Sequence, residues 1–382
     1  MRSWMLVVTA VLIVFALSHC RTGAETGDHV FVDFSMAEKA IDWLEFIGSG
    51  ADDSAVKEHF MHDVAPTLGC KSIIRHWRRF MKWNNHEFYR FIMEAIGRIE
   101  TNDPTTDENG NLTPFGRRQL FWQEALGDPA RIRRDLQALG SVGLVDTALA
   151  LAKRYLPEEA TIRSSFFVVL FGGSSAYAVG DANGFDLLQL PKRSDGSIDI
   201  DSVVRTFAHE MHHSGISCCQ KQHMSGVGGR DRLGLVARLV NEGMPIYYIN
   251  QTKERLHVLE NSPNPTQQAD VRDWKRYLAR LPDLYAEAER DIRSNLDGNL
   301  TDEGIMGTWM AGSQGPAYVL GSEIISIIHS QLGLSAALEV ARDYRRVLSV
   351  YNRAAQKANQ AGFGCYVFDE ELANRVANFT GR

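Results

Sequence analysis

Between residues 30 and 160 the apolar positions return at helical spacing. Phe34-Ser35-Met36-Ala37-Glu38 reads as a helix entry with Ser35 as its cap, and Ile41, Leu44 and Ile47 continue the apolar face. Ile73 to Ile96 reads as an amphipathic helix that buries Ile74, Trp77 and Met81 beneath solvated Arg78, Arg79 and Lys82. His76 and His86 fit there as packing or surface histidines. Thr101 to Pro114 is rich in Asn, Asp, Thr and Pro and reads as a loop, after which helices resume from Arg117 to Tyr155.

The period changes at Thr161. Ser165 to Phe171 is a short run of β-formers, read as a buried strand. Ala176 to Val179 and Phe185 to Leu190 are two more strands, joined by the turn chemistry of Gly180-Asp181-Ala182-Asn183-Gly184. A helix follows, with Asp201 as its cap, Val203, Val204, Phe207, Ala208 and Met211 on its apolar face, and Gly215 as its stop. Helical spacing returns through Asp270 to Asn295, Ile324 to Leu332 and Ala336 to Gln360. The pattern predicts an α+β fold, mainly helical, with a small sheet next to one motif-bearing helix. It divides into a helical N-terminal subdomain, 25–160, and a second region, 161–382.

Composition narrows the function classes. The 382 residues are 44% hydrophobic and 23% charged, enough for one large core or two smaller ones. A net charge of −6 gives no footing for nucleic acid or an anionic membrane surface. The first 24 residues read as a targeting segment, with Arg2 ahead of the uncharged run Met5 to Leu17. Leu17-Ser18-His19-Cys20 has the outline of a lipoprotein signal with a lipid on Cys20, although His19 stands where a small residue is expected. Cleavage after Ala24 is the simpler export reading, and an uncleaved anchor is the third. Each places the chain outside the cytoplasm: periplasmic, on the cell surface or secreted. Apart from Cys20, the cysteines are Cys70, Cys218, Cys219 and Cys365. Adjacent Cys218 and Cys219 are expected to pair with Cys70 and Cys365 rather than with each other.

The chemistry concentrates in Ala208-His209-Glu210-Met211-His212-His213-Ser214-Gly215. Residues four apart lie on one helix face, so His209 and His213 can point two imidazole nitrogens at one zinc ion. Glu210, one position on, is turned away from ligation yet close enough to take a proton from a zinc-activated water. A third ligand is needed. Extension to His-x-x-Gly-x-x-His fails, because Ile216 and Cys219 occupy those places. Cys219 and His223 are weaker candidates than Glu242. Leu235, Leu239, Glu242 and Ile246 form one helical stripe, and a carboxylate on an apolar stripe needs either a bound cation or an arginine. Further on, the Gly-rich segment Gly304 to Gly321 carries Tyr318, whose phenol can donate to a developing oxyanion or simply pack at a helix start.

His209-Glu210-x-x-His213 followed by Asn241-Glu242-Gly243 resembles the gluzincin group of zinc metallopeptidases. More narrowly, the chain resembles a family of uncharacterised, exported zinc-dependent peptidases. The likeness covers about Thr161 to Ser330; the N-terminal half matches only in its helical character. It implies zinc as the cofactor, His209, His213 and Glu242 as ligands, Glu210 as general base and a peptide or protein as substrate. One departure stands out. The thermolysin-like pattern has an aspartate four residues after the third ligand, orienting a ligand histidine, and this chain has Ile246 there. Two other readings stay open at this point: a non-catalytic surface protein with a structural zinc, and a zinc hydrolase of a non-peptide amide.

Overall fold

The structure is a computed structural model that describes residues 27–381, apart from Lys82, Asn102, Val142, Gly180, Asp181 and Ser313. The stretch read as an export signal, with Cys20, therefore lies outside the described residues, as do Lys82 and the first two residues of the expected Gly180–Gly184 turn. The fold is mainly helical around one four-stranded sheet of order β1-β2-β4-β3. β1 is His29–Asp33, β2 Arg163–Val169, β3 Ala176–Val179 and β4 Ala182–Asp186. β1, β2 and β4 run parallel, and β3 returns antiparallel along β4 as an edge strand.

Neighbouring parallel strands require a crossover. Here the whole helical N-terminal half is the crossover between β1 and β2. One buried core accordingly runs from Met36 through Trp122 and Phe166 to Val376.

Several expectations need correction. β1 was missed: five residues with two half-exposed polar ends carry too weak an alternation to compete with the helix beyond them. That helix, Ser35–Gly48, is entered through Asp33, whose Oδ1 accepts the Ser35 N–H (2.8 Å), rather than through a Ser35 side chain. The single helix expected from Ile73 to Ile96 is two, Leu68–Met81 and Asn85–Ala95, because Asn84 caps the second by accepting from the His86 and Glu87 N–H groups. Cys70, Ser72 and Ile73 of the first are buried, while Ile74 and Trp77 are half-buried.

The strand expected at Phe185 to Leu190 is β4, which takes in Ala182, Asn183 and Gly184 of the expected turn and ends at Asp186. The buried Asp186 carboxylate accepts from the N–H groups of Phe171, Gly172 and Leu188, and this bends the chain into a 3₁₀ turn at Leu187–Gln189. Thr101 to Pro114 is loop, closed by a bridge between Thr106 and Leu112. The four cysteines outside the N-terminal segment are free thiols. Burial pushes Cys70 up to about 12 and Cys219 to about 11, so both behave as small apolar groups in the core.

The motif helix, Ile200–His223, lies against the sheet and against the helix Leu144–Lys153. Its cap is Asp199, which accepts from Ser202 N (3.3 Å); Asp201 sits in the first turn and pairs with Arg205 (2.8 Å). Gly215 does not stop it. A Cβ there would come within 2.3 Å of Leu156, so the glycine answers to packing, and the helix runs two more turns.

The glutamate helix, Gly234–Pro245, is packed most closely by the helix Pro316–Leu332. The two cross glycine on glycine. A Cβ on Gly321 would lie 2.2 Å from the Leu239 carbonyl oxygen, and one on Gly243 would lie 2.5 Å from the Gly321 carbonyl carbon. Backbone faces backbone, so no rotamer change relieves the clash. Gly321→Ala is expected to destabilise the fold by roughly 1–3 kcal/mol or more. Chemical denaturation of this variant beside Gly307→Ala, where a Cβ meets nothing within 4 Å, checks it.

Candidate metal centre

Three of the residues singled out in the sequence, His209, Glu210 and Tyr318, line one cleft, and His213 and Glu242 cluster with His209 at its edge. His209 and His213 lie one turn apart on the motif helix, and Glu242 reaches them from the glutamate helix. The Glu242 Oε2 atom is 3.3 Å from His213 Nε2 and 3.6 Å from His209 Nε2. One donor atom from each residue lies within 4.8 Å of the other two. The imidazole planes stand at 77° with centroids 4.7 Å apart, so the rings splay around a shared point instead of stacking. His209 and Glu242 are each only 8% exposed.

Electrostatics at this point are dominated by one buried anion between two imidazoles. Burial by itself would raise the Glu242 pKa, but the charge of His213 and the hydrogen bonds of both histidines hold it well below the usual carboxylate range. For His213, burial favours the neutral ring, and the Glu242 charge overrides it and raises the pKa. The charged partners that face Glu242 are thus the histidines. Arg238, on the same helix, reaches toward Asp302 instead (3.9 Å).

A cleft of about 240 Å³ opens at this cluster. His209, Glu210, Tyr318 and Asn250 line it, together with Ser175 and Ala176 from the start of the edge strand β3. Glu210 is half-buried and faces the cleft from the position beside His209. Tyr318 stands in the first turn of the helix Pro316–Leu332. Burial first, then the charges of Glu242 and Glu210, raise its phenol well above its ordinary pKa, so it stays a hydroxyl donor.

The other third-ligand candidates lie elsewhere. Cys219 is buried in the core. His223, at the end of the motif helix, bonds to Glu159 (3.2 Å). His212, beside His213 in sequence, is turned away to the Tyr155 backbone. Burial lowers its pKa to about 3, and its neutral ring donates through Nε2 to the Tyr155 carbonyl (3.1 Å), tying the motif helix to the chain beneath.

Three contributors were not foreseen. Asn250 Oδ1 sits 3.3 Å from His209 Nδ1, and Arg205 and Arg255 line the cleft wall. Asn250 was hidden because eight residues from Glu242 is roughly 80° around a regular α-helix. The chain leaves that geometry after Pro245 and forms a π-helical turn at Ile246–Asn250.

The donor set suits zinc: two imidazoles and a carboxylate, one ring braced on its far nitrogen, with a cleft at the fourth side. No curated protein and no solved structure is significantly similar to the chain. Residues 73–360, more than half of the chain, match the sequence family DUF5700, whose description reads "Putative zinc dependent peptidase". The chain belongs to this zinc-dependent family.

Proposed function

We propose that the protein is a zinc metallopeptidase in which His209, His213 and Glu242 hold the ion, Glu210 is the general base and Tyr318 assists the carbonyl oxygen. The observation that carries the reading is a three-residue donor set whose His209 lines the same cleft as Glu210 and Tyr318. A zinc ion held by these residues supplies a Lewis acid that acidifies water and polarises a carbonyl. Glu210 accepts the proton that attacking water loses, then donates it to the departing amine nitrogen. Tyr318 donates its hydroxyl to the carbonyl oxygen as negative charge gathers there. An extended peptide can lie along the edge strand β3, whose first residue borders the cleft. A purely structural zinc has no use for an open side next to a carboxylate, which supports the catalytic reading over a closed site.

Glu210→Gln keeps shape and hydrogen-bonding reach but not basicity. It is expected to bind zinc normally and to lose roughly 10³-fold in peptide cleavage. Tyr318→Phe is expected to lose less, because polarisation of the carbonyl does not depend on the phenol alone. Zinc content and kcat/KM on a peptide library check both. A Glu210→Gln protein that cleaves as the wild type does would sink the assignment.

Proton release gives a second test. Zinc binding requires a neutral His213, while Glu242 raises that ring's pKa. Affinity should therefore rise with pH until the raised pKa is passed, with about one proton released per ion near neutrality. Calorimetric titration in buffers of different ionisation enthalpy measures the release.

We also propose that the chain is exported, on the strength of Arg2 and the uncharged run Met5 to Leu17. N-terminal sequencing of the protein from the producing cell is expected to start after Ala24, or at a blocked, palmitate-labelled Cys20 that Cys20→Ala abolishes. A chain that keeps Met1 would contradict both routes.

A further inference from the structure

The chain between the glutamate helix and the next helix, Thr252–Glu260, has two unusual local features side by side. The turn Ile246–Asn250 is π-helical, and the residue after it, Gln251, is the only non-glycine residue with positive φ (50°) among the described residues. A π turn accommodates one residue more than an α turn, and both features are less favourable than continued α-helix. Something in the surrounding structure must hold them.

What holds them is the motif helix. The Asn250 Oδ1 atom meets His209 Nδ1 at 3.3 Å. Arg205, one helical turn before His209, donates through Nη1 to the Ile249 carbonyl and to Gln251 Oε1 (3.1 Å). Three consecutive residues, the last two of the turn and Gln251 after it, thus grip the motif helix at two points one turn apart. Arg205 is in turn held by Asp201 (2.8 Å), so the grip is anchored at its far end.

From this geometry we infer that Asn250 is the positioning residue for the ligand His209, delivered by the π turn in place of a carboxylate on the regular helix. The inference rests on the metal-site reading above. If His209 ligates the ion through Nε2, the nitrogen nearest Glu242, the proton of its neutral ring belongs on Nδ1, and the partner of that nitrogen must be an acceptor. The Asn250 Oδ1 atom is that acceptor. It fixes the tautomer, stops the ring rotating and leaves the Nε2 lone pair aimed at the ion. Because the acceptor is an amide, Glu242 remains the sole anion among these four groups. A dication bound there keeps one net positive charge, where an aspartate at 250 would cancel it.

The test is metal affinity, independent of turnover. Zinc dissociation constants of the full chain are measured by competition with a chromophoric chelator, and the visible absorption of the cobalt-substituted protein reports ligand geometry. Asn250→Leu removes the acceptor and is expected to weaken zinc binding 10- to 100-fold and to alter the cobalt spectrum. Asn250→Asp restores an acceptor and is expected to bind zinc at least as tightly as the wild type. A merely structural role predicts that both variants weaken binding together, in step with a lower melting temperature of the metal-free chain. If Asn250→Leu does not fold, Asn250→Ala stands in for it. Wild-type affinity in the Leu or Ala variant, or an Asp variant as weak as they are, overturns the inference. A wild-type chain that binds no zinc instead overturns the metal-site reading, and this inference falls with it.

Discussion

The site depends on a close approach between two helices. Glu242 reaches the histidines only because its helix lies at the right depth, and that depth is set where Gly243 meets Gly321. At such a crossing the main chains themselves are in contact, and any side chain would push the helices apart. Gly243 follows Glu242 directly, so the glutamate and the contact that places it share one turn. The partner helix carries Tyr318, three residues before Gly321. One crossing therefore fixes Glu242 and the phenol relative to one another. It also explains in physical terms why a glycine follows Glu242.

Placing a carboxylate there has an electrostatic cost, which the histidines offset. An isolated buried anion would take up a proton; Glu242 remains an anion because His213 can be charged beside it. The same arrangement makes the cluster a self-compensated ion pair, in which each buried charge is offset by its neighbour. Asp186 is a different solution to burial. Four hydrogen bonds surround it and favour the carboxylate, and burial still pushes it up to about 7. Its work is geometric: it ends β4 and holds the Phe171–Gly172 backbone that leads to the edge strand.

Much of this was legible because the two sequence periods are strong where burial is one-sided. The motif helix, the Glu242 stripe and the apolar run of β2 all declare themselves, and the donor triplet follows from positions four apart and one apolar stripe. What was hidden depends on contacts between distant segments. β1 is short and half-exposed, and it becomes a strand only because β2 offers it an edge 130 residues later. Gly215 reads as a stop, since a glycine near a helix end usually is one, and only Leu156 packed against it explains why the helix continues. The strand end at Asp186 is set by backbone groups of another loop. The π turn escapes any regular helical wheel, so Asn250 could not be placed from the spacing that found Glu242.

The topology joins these local solutions. β1 and β2 are parallel neighbours, so the N-terminal helices are a crossover rather than an appendage, and their core is continuous with the one beneath the motif helix. His212 shows how that continuity serves the site. It is fully buried and neutral, and its bond to the Tyr155 carbonyl joins the motif helix to the end of the crossover, while the next residue is a metal-site histidine. Rotation of the helix about its axis would break that bond on one side and the Asn250 and Arg205 contacts on the other. The face that carries His209 and His213 is thus fixed from opposite sides, by the N-terminal half and by the π turn. A donor set with 3.3–3.6 Å spacings needs that rigidity, because a small rotation of a helix moves both imidazoles together away from Glu242.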